Sequence, residues 1–238
     1  MKDQYFGDIN DYRKYGLLRS LQASTNLDLL VGWMLTPNDD RRDGEMRSYL
    51  RDPPGWKCFD PVLYLGLASL LAQSTTRGVS LIESASLIPR TSFFSRPVPD
   101  DRDARKDWCS ELLAAAAKAD LVFLDPDNGI EVASRPIGRK DSSKYLAWHE
   151  LDDLWSAGCS LLIYQHYPRE ARHEFVRALL SKLKSRTRAG LGAAFTTAHV
   201  VFVLLAQPRH EAVLEGAVQH VASSAWVGQI SVVRPSAG

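Results

Sequence analysis

The sequence predicts a three-layer α/β domain with a mostly parallel central sheet and an antiparallel hairpin toward the C-terminus. Three observations carry this. Short apolar runs such as "DLLVGWML", "DLVFL" and "CSLLIY" alternate with longer helical patterns, and that alternation builds a parallel sheet covered on both faces. The stretch "GLGAAFTTAHVVFVLLAQP" reads as two neighbouring strands with a turn near Thr197-Ala198. The chain has 238 residues, 45% hydrophobic and 24% charged, which suits one domain over residues 1–238 with a sizeable core. No internal repeat, low-complexity segment or linker interrupts it.

The first helix is expected over Asn10 to Ala23, capped by Asp8 or Asn10, whose short side-chain oxygens satisfy free backbone N–H groups. Gly7 just before it suggests a special backbone conformation. Asp28 to Leu35 reads as a buried strand that runs into the polar loop Thr36-Pro37-Asn38-Asp39-Asp40. Arg41 to Pro54 is a charged covering segment. Pro61 suits the first turn of the helix in "DPVLYLGLASLLA", whose apolar residues surround much of its circumference. "GVSLIE", Gly78 to Glu83, reads as a second short strand and "TSFFS" as a third. Pro97 to Asp103 is a polar loop.

"DARKDWCSELLAAAAKA" is helical by propensity and by the Trp108/Leu112/Ala115 spacing. It feeds the strongest strand, Leu121 to Leu124. A polar stretch, Ser134 to Lys144, leads to a short helix carrying Leu151 and Leu154-Trp155 and closed by Gly158. Cys159 to His166 is an apolar strand with a polar end. Phe175, Val176, Leu179, Leu180 and Leu183 share one face of an amphipathic helix. After the hairpin, a last helix carries Leu214, Ala217, Val218 and Val221, and "GQISVVRP" closes the sheet as an edge strand.

The net charge of +1 carries no global signature of nucleic-acid binding, although local basic faces remain available. Three widely spaced cysteines, Cys58, Cys109 and Cys159, form neither a metal motif nor a disulfide framework. No apolar run reaches membrane-spanning length or resembles a signal peptide. The expectation is a cytoplasmic protein with no membrane partner.

In open α/β sheets, ligands bind outside the carboxyl ends of the strands, where the strand order reverses. Four polar sets fall there: Asn38-Asp39-Asp40, Glu83, Asp125 to Asn128, and Gln165-His166. A carboxylate at Glu83 can accept both hydroxyls of a ribose, or simply cap the next element. Pro126 stiffens the turn that presents Asp125, Asp127 and Asn128. These side chains can orient an amine or oxygen nucleophile, or form an ordinary tight turn. His166 is a candidate base or substrate contact.

Asp125, Asp127 and Glu131 are alternatively hard oxygen ligands for Mg²⁺ or Mn²⁺. The N-terminal "QYFGDINDYRKY" concentrates Tyr5, Phe6, Asp8, Asp11, Lys14 and Tyr15. Such a cluster can stack on a base and contact a charged group, or serve as a helix cap with a solvated face. No serine-nucleophile motif or phosphate-binding glycine loop occurs.

On these residues the chain resembles the class I Rossmann methyltransferases that use S-adenosylmethionine. It is most similar to the adenine-N6 methyltransferases of large-subunit ribosomal RNA, the J type. "YFGDINDYRKY" parallels that family's F-x-G-N-x-x-D-x-x-K-H, with Asp8 and Tyr15 replacing its asparagine and histidine. Asp125-Pro126-Asp127-Asn128 stands where the family has D-P-P-Y. Only Asp125 and Pro126 match, and the aromatic that stacks on a flipped base is absent. The turn after the first strand, "WMLTPNDD", lacks the family's glycines.

The resemblance implies a Rossmann-like methyltransferase domain. Lys14, Asn38 and Glu83 would face S-adenosylmethionine. Tyr5, Phe6, Asp8, Asp11, Tyr15 and Glu131 would face the substrate, a nucleic acid or a small molecule. Asp125, Asp127, Asn128 and His166 would perform the chemistry. Two alternatives stand beside it: a metal-dependent phosphodiesterase or nuclease, and a non-catalytic binding module on a degenerate fold.

Overall fold

The structure, a computed structural model, describes residues 1–39 and 44–235. Asp40 and the Arg41-Arg42 pair of the charged covering segment lie outside the described residues. A seven-stranded sheet in the order β2-β1-β3-β6-β8-β7-β9 forms the centre. Its strands are β1 (Leu29–Gly32), β2 (Thr91–Phe94), β3 (Leu121–Leu124), β6 (Ser160–His166), β7 (Gly192–Thr196), β8 (Val200–Leu205) and β9 (Ser231–Val233). Two short strands, β4 (Gly129–Ile130) and β5 (Tyr145–Leu146), pair separately. β2, β1, β3 and β6 run parallel, whereas β8 pairs antiparallel with both β6 and β7, and β9 antiparallel with β7.

The helices are α1 (Ile9–Ala23), α2 (Pro53–Trp56), α3 (Pro61–Gln73), α4 (Ser80–Ser84), α5 (Arg102–Ala116), α6 (Trp148–Ser156), α7 (Arg172–Thr187) and α8 (Glu211–Ser223). Alternate strand residues face opposite layers, as the pleat requires. Leu29, Val31, Leu121 and Phe123 join the core beneath α1, α3 and α8, while Leu30, Val122 and Leu124 join the core beneath α5, α6 and α7. No helix among the described residues is long and apolar enough to cross a membrane.

Most elements lie where the sequence places them. Asp8 is the α1 cap, with Oδ1 accepting from the backbone N–H groups of Asn10 and Asp11 at 2.7 and 2.9 Å. Pro61 opens α3, and Gly158 follows α6 with φ of 88°. The segment Gly78 to Glu83 is different: it holds the short helix α4 rather than a strand. Val79 and Ile82, three residues apart, are the buried positions, and that spacing belongs to a helix face. Asp3 fixes its start, with Oδ1 accepting from Val79 N at 2.9 Å. α5 also begins inside the expected polar loop, because Asp101 caps it through Asp103 N and Ala104 N.

β1 neighbours β2 on one side and β3 on the other. The strand order therefore reverses between β1 and β3, and the crevice outside their carboxyl ends is the favoured ligand position. α1 runs beneath this point. It packs so closely on the segment after α8 that a Cβ on Gly16 would lie 2.0 Å from Trp226 Cζ2. Gly16→Ala is expected to destabilise the fold by about 1–3 kcal/mol through overpacking. A urea midpoint lowered at unchanged slope would show this, and an unchanged midpoint would refute the close packing.

Candidate functional site

The ladder of β3 continues one residue beyond Leu124, because Asp125 N donates to Gly32 O at 3.0 Å. The chain then turns through Pro126-Asp127-Asn128-Gly129. Gln165 at the end of β6 holds this turn: Oε1 accepts from Ile130 N at 2.8 Å, and Nε2 donates to Asn128 O at 3.2 Å. Asn128 N also donates to Lys144 O at 2.9 Å. Gly129 has φ of 116°, and a Cβ there would lie 2.2 Å from Gln165 Oε1. The glycine thus admits both a left-handed backbone and the clamping amide.

α1 supplies the floor. Lys14 Nζ donates to Asp11 Oδ1 at 2.8 Å and to Asp125 Oδ2 at 2.6 Å, and all three residues are buried. The other Asp11 oxygen accepts from Gly7 N at 3.0 Å and from Tyr15 Oη at 3.1 Å. Gly7 has φ of 79°, which aims its N–H back at Asp11. Burial opposes the charge on Lys14, but Asp11 and Asp125 outweigh it and hold its pKa above the ordinary lysine value. Asp8 forms no ion pair among the described residues, and Lys14 offsets its burial only in part. Burial, with Asp11 beside it, pushes its carboxyl up to about 7.

A cavity of about 680 Å³ opens above this floor. Its walls include Tyr5, Asp8, Asp11 and Lys14, the turn Asp125 to Asn128, and Tyr164, His166 and His199. Tyr164 Oη and His166 Nε2 lie 3.0 Å apart. Desolvation by the surrounding protein lowers the His166 pKa from its usual 6.5, although its ring keeps accessible surface where it faces the cavity. Burial raises the Tyr164 phenol well above its usual value, so it stays protonated. In the tautomer whose Nε2–H donates to Tyr164 Oη, Nδ1 of His166 carries a lone pair.

The structure thus brings together Asp125, Asp127, Asn128, His166, Lys14, Tyr5, Asp8 and Asp11. It places the other expected residues elsewhere. Phe6 and Tyr15 are fully buried in the core. Asn38 is off the cavity wall and accepts from Gln4 N. Glu131 accepts from Trp148 N at 3.2 Å. Glu83 lies on α4, where it accepts from Trp33 Nε1 at 2.8 Å and from Ser95 Oγ. Tyr164, Asn10 and His199 are wall residues that the sequence did not single out as site residues. The hairpin register could have pointed to His199, because it precedes Val200, the partner of His166 across β6 and β8.

The crevice between the ends of β1 and β3 is filled by Met1 and Lys2, which are 4% and 3% exposed. The Met1 amino group donates to Met34 O at 3.1 Å and to Asp125 O at 3.0 Å, and it lies 2.6 Å from Asp127 Oδ1. Met1 O accepts from Thr36 N at 2.9 Å, and Thr36 Oγ1 donates to Asp127 Oδ2 at 2.6 Å. These residues do not fit S-adenosylmethionine in the β1 crevice: backbone occupies the place of a nucleoside, no glycine turn opens beside it, and Glu83 is engaged elsewhere. Asp125, Asp127 and Glu131 do not converge either. Among the described residues, no group of three or more His, Cys, Asp or Glu is placed to hold a metal ion.

Replacing Lys14 with methionine strands Asp11 and Asp125 in the interior, and the expected loss is about 3–5 kcal/mol. Denaturant unfolding that changes by less than ~1 kcal/mol would contradict the network. Asp8 gives a pH signature. Its carboxyl is raised from 3.8 to about 7 on folding, so the folded state binds the proton more tightly than the unfolded state. That contribution is full below pH 3.8 and is lost as pH rises through about 7. Asp8→Asn keeps a good cap, so wild type should lose stability relative to it across this window. A pH-independent difference would refute the assignment.

Neither a protein-family model nor a curated protein matches this chain.

Proposed function

We propose that this chain is a methyltransferase-like enzyme that activates an amine or oxygen of a polar substrate for group transfer. One observation carries the reading: Asp127, Asn128 and His166, from two adjacent strand ends, share one cavity with Asp8 and the Lys14 ion network. A parallel sheet whose order reverses between β1 and β3, followed by an antiparallel pair, is the architecture that the methyltransferase resemblance implies.

The roles follow from chemistry. The Asn128 side-chain oxygen accepts from an N–H or O–H donor and orients its lone pair, beside an Asp127 carboxylate that the Met1 amino group and Thr36 hold in place. His166, kept neutral by its lowered pKa, removes the proton as the nucleophile attacks. Asp8, near its own midpoint at neutral pH, is suited to take or return a proton. Lys14 and Asp125 supply a fixed charge pair that holds the floor in place. S-adenosylmethionine, the donor implied by the resemblance, does not fit the β1 crevice, and no step is assigned to it.

A mass-spectrometric screen of polar amines and alcohols, with and without added S-adenosylmethionine, tests this reading. His166→Ala is expected to lower kcat on the substrate found by roughly 10²–10⁴-fold, and full activity in that variant would sink the assignment. Calorimetry with S-adenosylmethionine is a second test. The filled crevice leads to the expectation of no binding tighter than ~1 mM, and a micromolar dissociation constant would show that Met1 and Lys2 move aside.

A further inference from the structure

The cavity is lined by more acid than base. Asp8, Asp11, Asp39, Glu45, Asp125 and Asp127 stand on its wall, against the Met1 amino group, Lys2, Lys14 and Lys144. Each of those cations is already engaged. The Met1 amino group faces Asp127, Lys2 pairs with Asp39, and Lys14 lies between Asp11 and Asp125. Lys144 pairs at 2.9 Å with Asp141, which is off the wall. Two wall acids, Asp8 and Glu45, are left without an ion pair among the described residues.

Asp8 is the deeper of the two. It is 5% exposed, and the cavity is where that surface opens. Oδ1 is engaged by the backbone N–H groups of Asn10 and Asp11. Oδ2 has no hydrogen bond among the described residues and, unlike Asn10 Oδ1, is not a sealed atom. Glu45 is exposed at the mouth. Its segment lies along the entry to α1: Ile9 N donates to Met46 O at 2.9 Å, and a Cβ on Gly44 would lie 2.7 Å from Tyr5 Cα. A buried carboxylate oxygen without a partner is costly, and a cation that reaches it offsets the loss.

We propose that the cavity takes a small organic amine in its ammonium form, with Asp8 as the acid that meets the ammonium and Glu45 as the acid at the mouth. This deepens the functional reading above. Of the amine and the oxygen named there it selects the amine, and it rests on that reading for the amine as the reacting group. The volume of about 680 Å³ is of small-molecule size. An anion is disfavoured, because the cations on the wall already hold carboxylates.

The charge on Asp8 answers to its surroundings. Asp11 raises its pKa and Lys14 lowers it. Arg13 and Tyr15 on the same helix, Tyr49, Arg77 ahead of α4 and Tyr164 of β6 also feel its charge. Burial keeps the phenols protonated, and it lowers His166 and His199 from 6.5, so both are mostly neutral at pH 7. Asp8 ionises at about 7, so its carboxylate fraction rises about tenfold between pH 6 and pH 8.

Calorimetry of the full chain with cadaverine, a diamine, and with pentanediol, its neutral counterpart, reads the site without turnover. Saturable cadaverine binding is expected at pH 8, at least about tenfold tighter than pentanediol and about tenfold tighter than at pH 6. Asp8→Asn keeps the cap. It should weaken cadaverine by about tenfold at pH 8 and remove most of the pH gradient. Glu45→Gln, at an exposed position, should weaken it by about two- to fivefold. Urea midpoints show that the variants are folded, and the pentanediol comparison stands even where Asp8→Asn is not. No cadaverine binding, equal binding of pentanediol, or an unchanged affinity and gradient in folded Asp8→Asn would overturn the proposal. Acetate that binds more tightly than cadaverine would overturn the sign assigned to the cavity. A lysine-containing peptide that binds far more tightly than cadaverine would overturn the small-molecule assignment. If cadaverine fails to bind while His166→Ala still abolishes turnover of another substrate, this inference alone falls. If cadaverine binds as described while His166→Ala is fully active, the functional reading alone falls.

Discussion

An ammonium group carried into a protein interior costs several kcal/mol unless carboxylates meet it with good geometry. Lys14 meets two, Asp11 on its own helix and Asp125 at the end of a central strand. Asp11 is in turn held by Gly7 N and Tyr15 Oη. The network therefore ties the start of α1, its first turns and the β3 turn into one unit. Gln165 in turn clamps the far side of the β3 turn. A change in Lys14 would disturb the stability of the domain and the shape of the site together.

The same economy explains the chemistry available. Groups with strong partners, such as Lys14, have a settled charge. Asp8 has backbone donors and only a partial offset from Lys14, and His166 has a phenol for company. Burial raises the Asp8 carboxyl to about 7 and lowers the His166 imidazole below 6.5, so one is near its midpoint and the other neutral at pH 7, and such groups are suited to moving protons.

Local patterning explains why so much of the site was legible. Asp125, Asp127, Asn128 and His166 follow runs of apolar residues, and a strand with a polar end declares itself through period and composition alone. Lys14 and Asp11 stood out because the N-terminal stretch concentrates aromatic, acidic and basic residues and parallels a family motif. Glu83 is misplaced by the sequence because the six residues Gly78 to Glu83, with Val79, Leu81 and Ile82 apolar, fit a strand and a buried helical turn equally well. Only the packing of Val79 and Ile82 against the core decided between them. Phe6 and Tyr15 looked like ligand contacts because aromatic residues serve cores and sites alike.

By itself, the sequence determined the layer architecture, the α1 cap, the buried central strands and the strand-end turn with its polar residues. Each is a local matter of period, propensity or turn chemistry. Tertiary structure alone decided that Met1 and Lys2 fill the crevice between β1 and β3, that Gln165 clamps Gly129, and that Gln229 holds Arg13. These partners are separated by tens to hundreds of residues. Their meeting depends on strand order and register, which the hydrophobic pattern of any one segment does not encode.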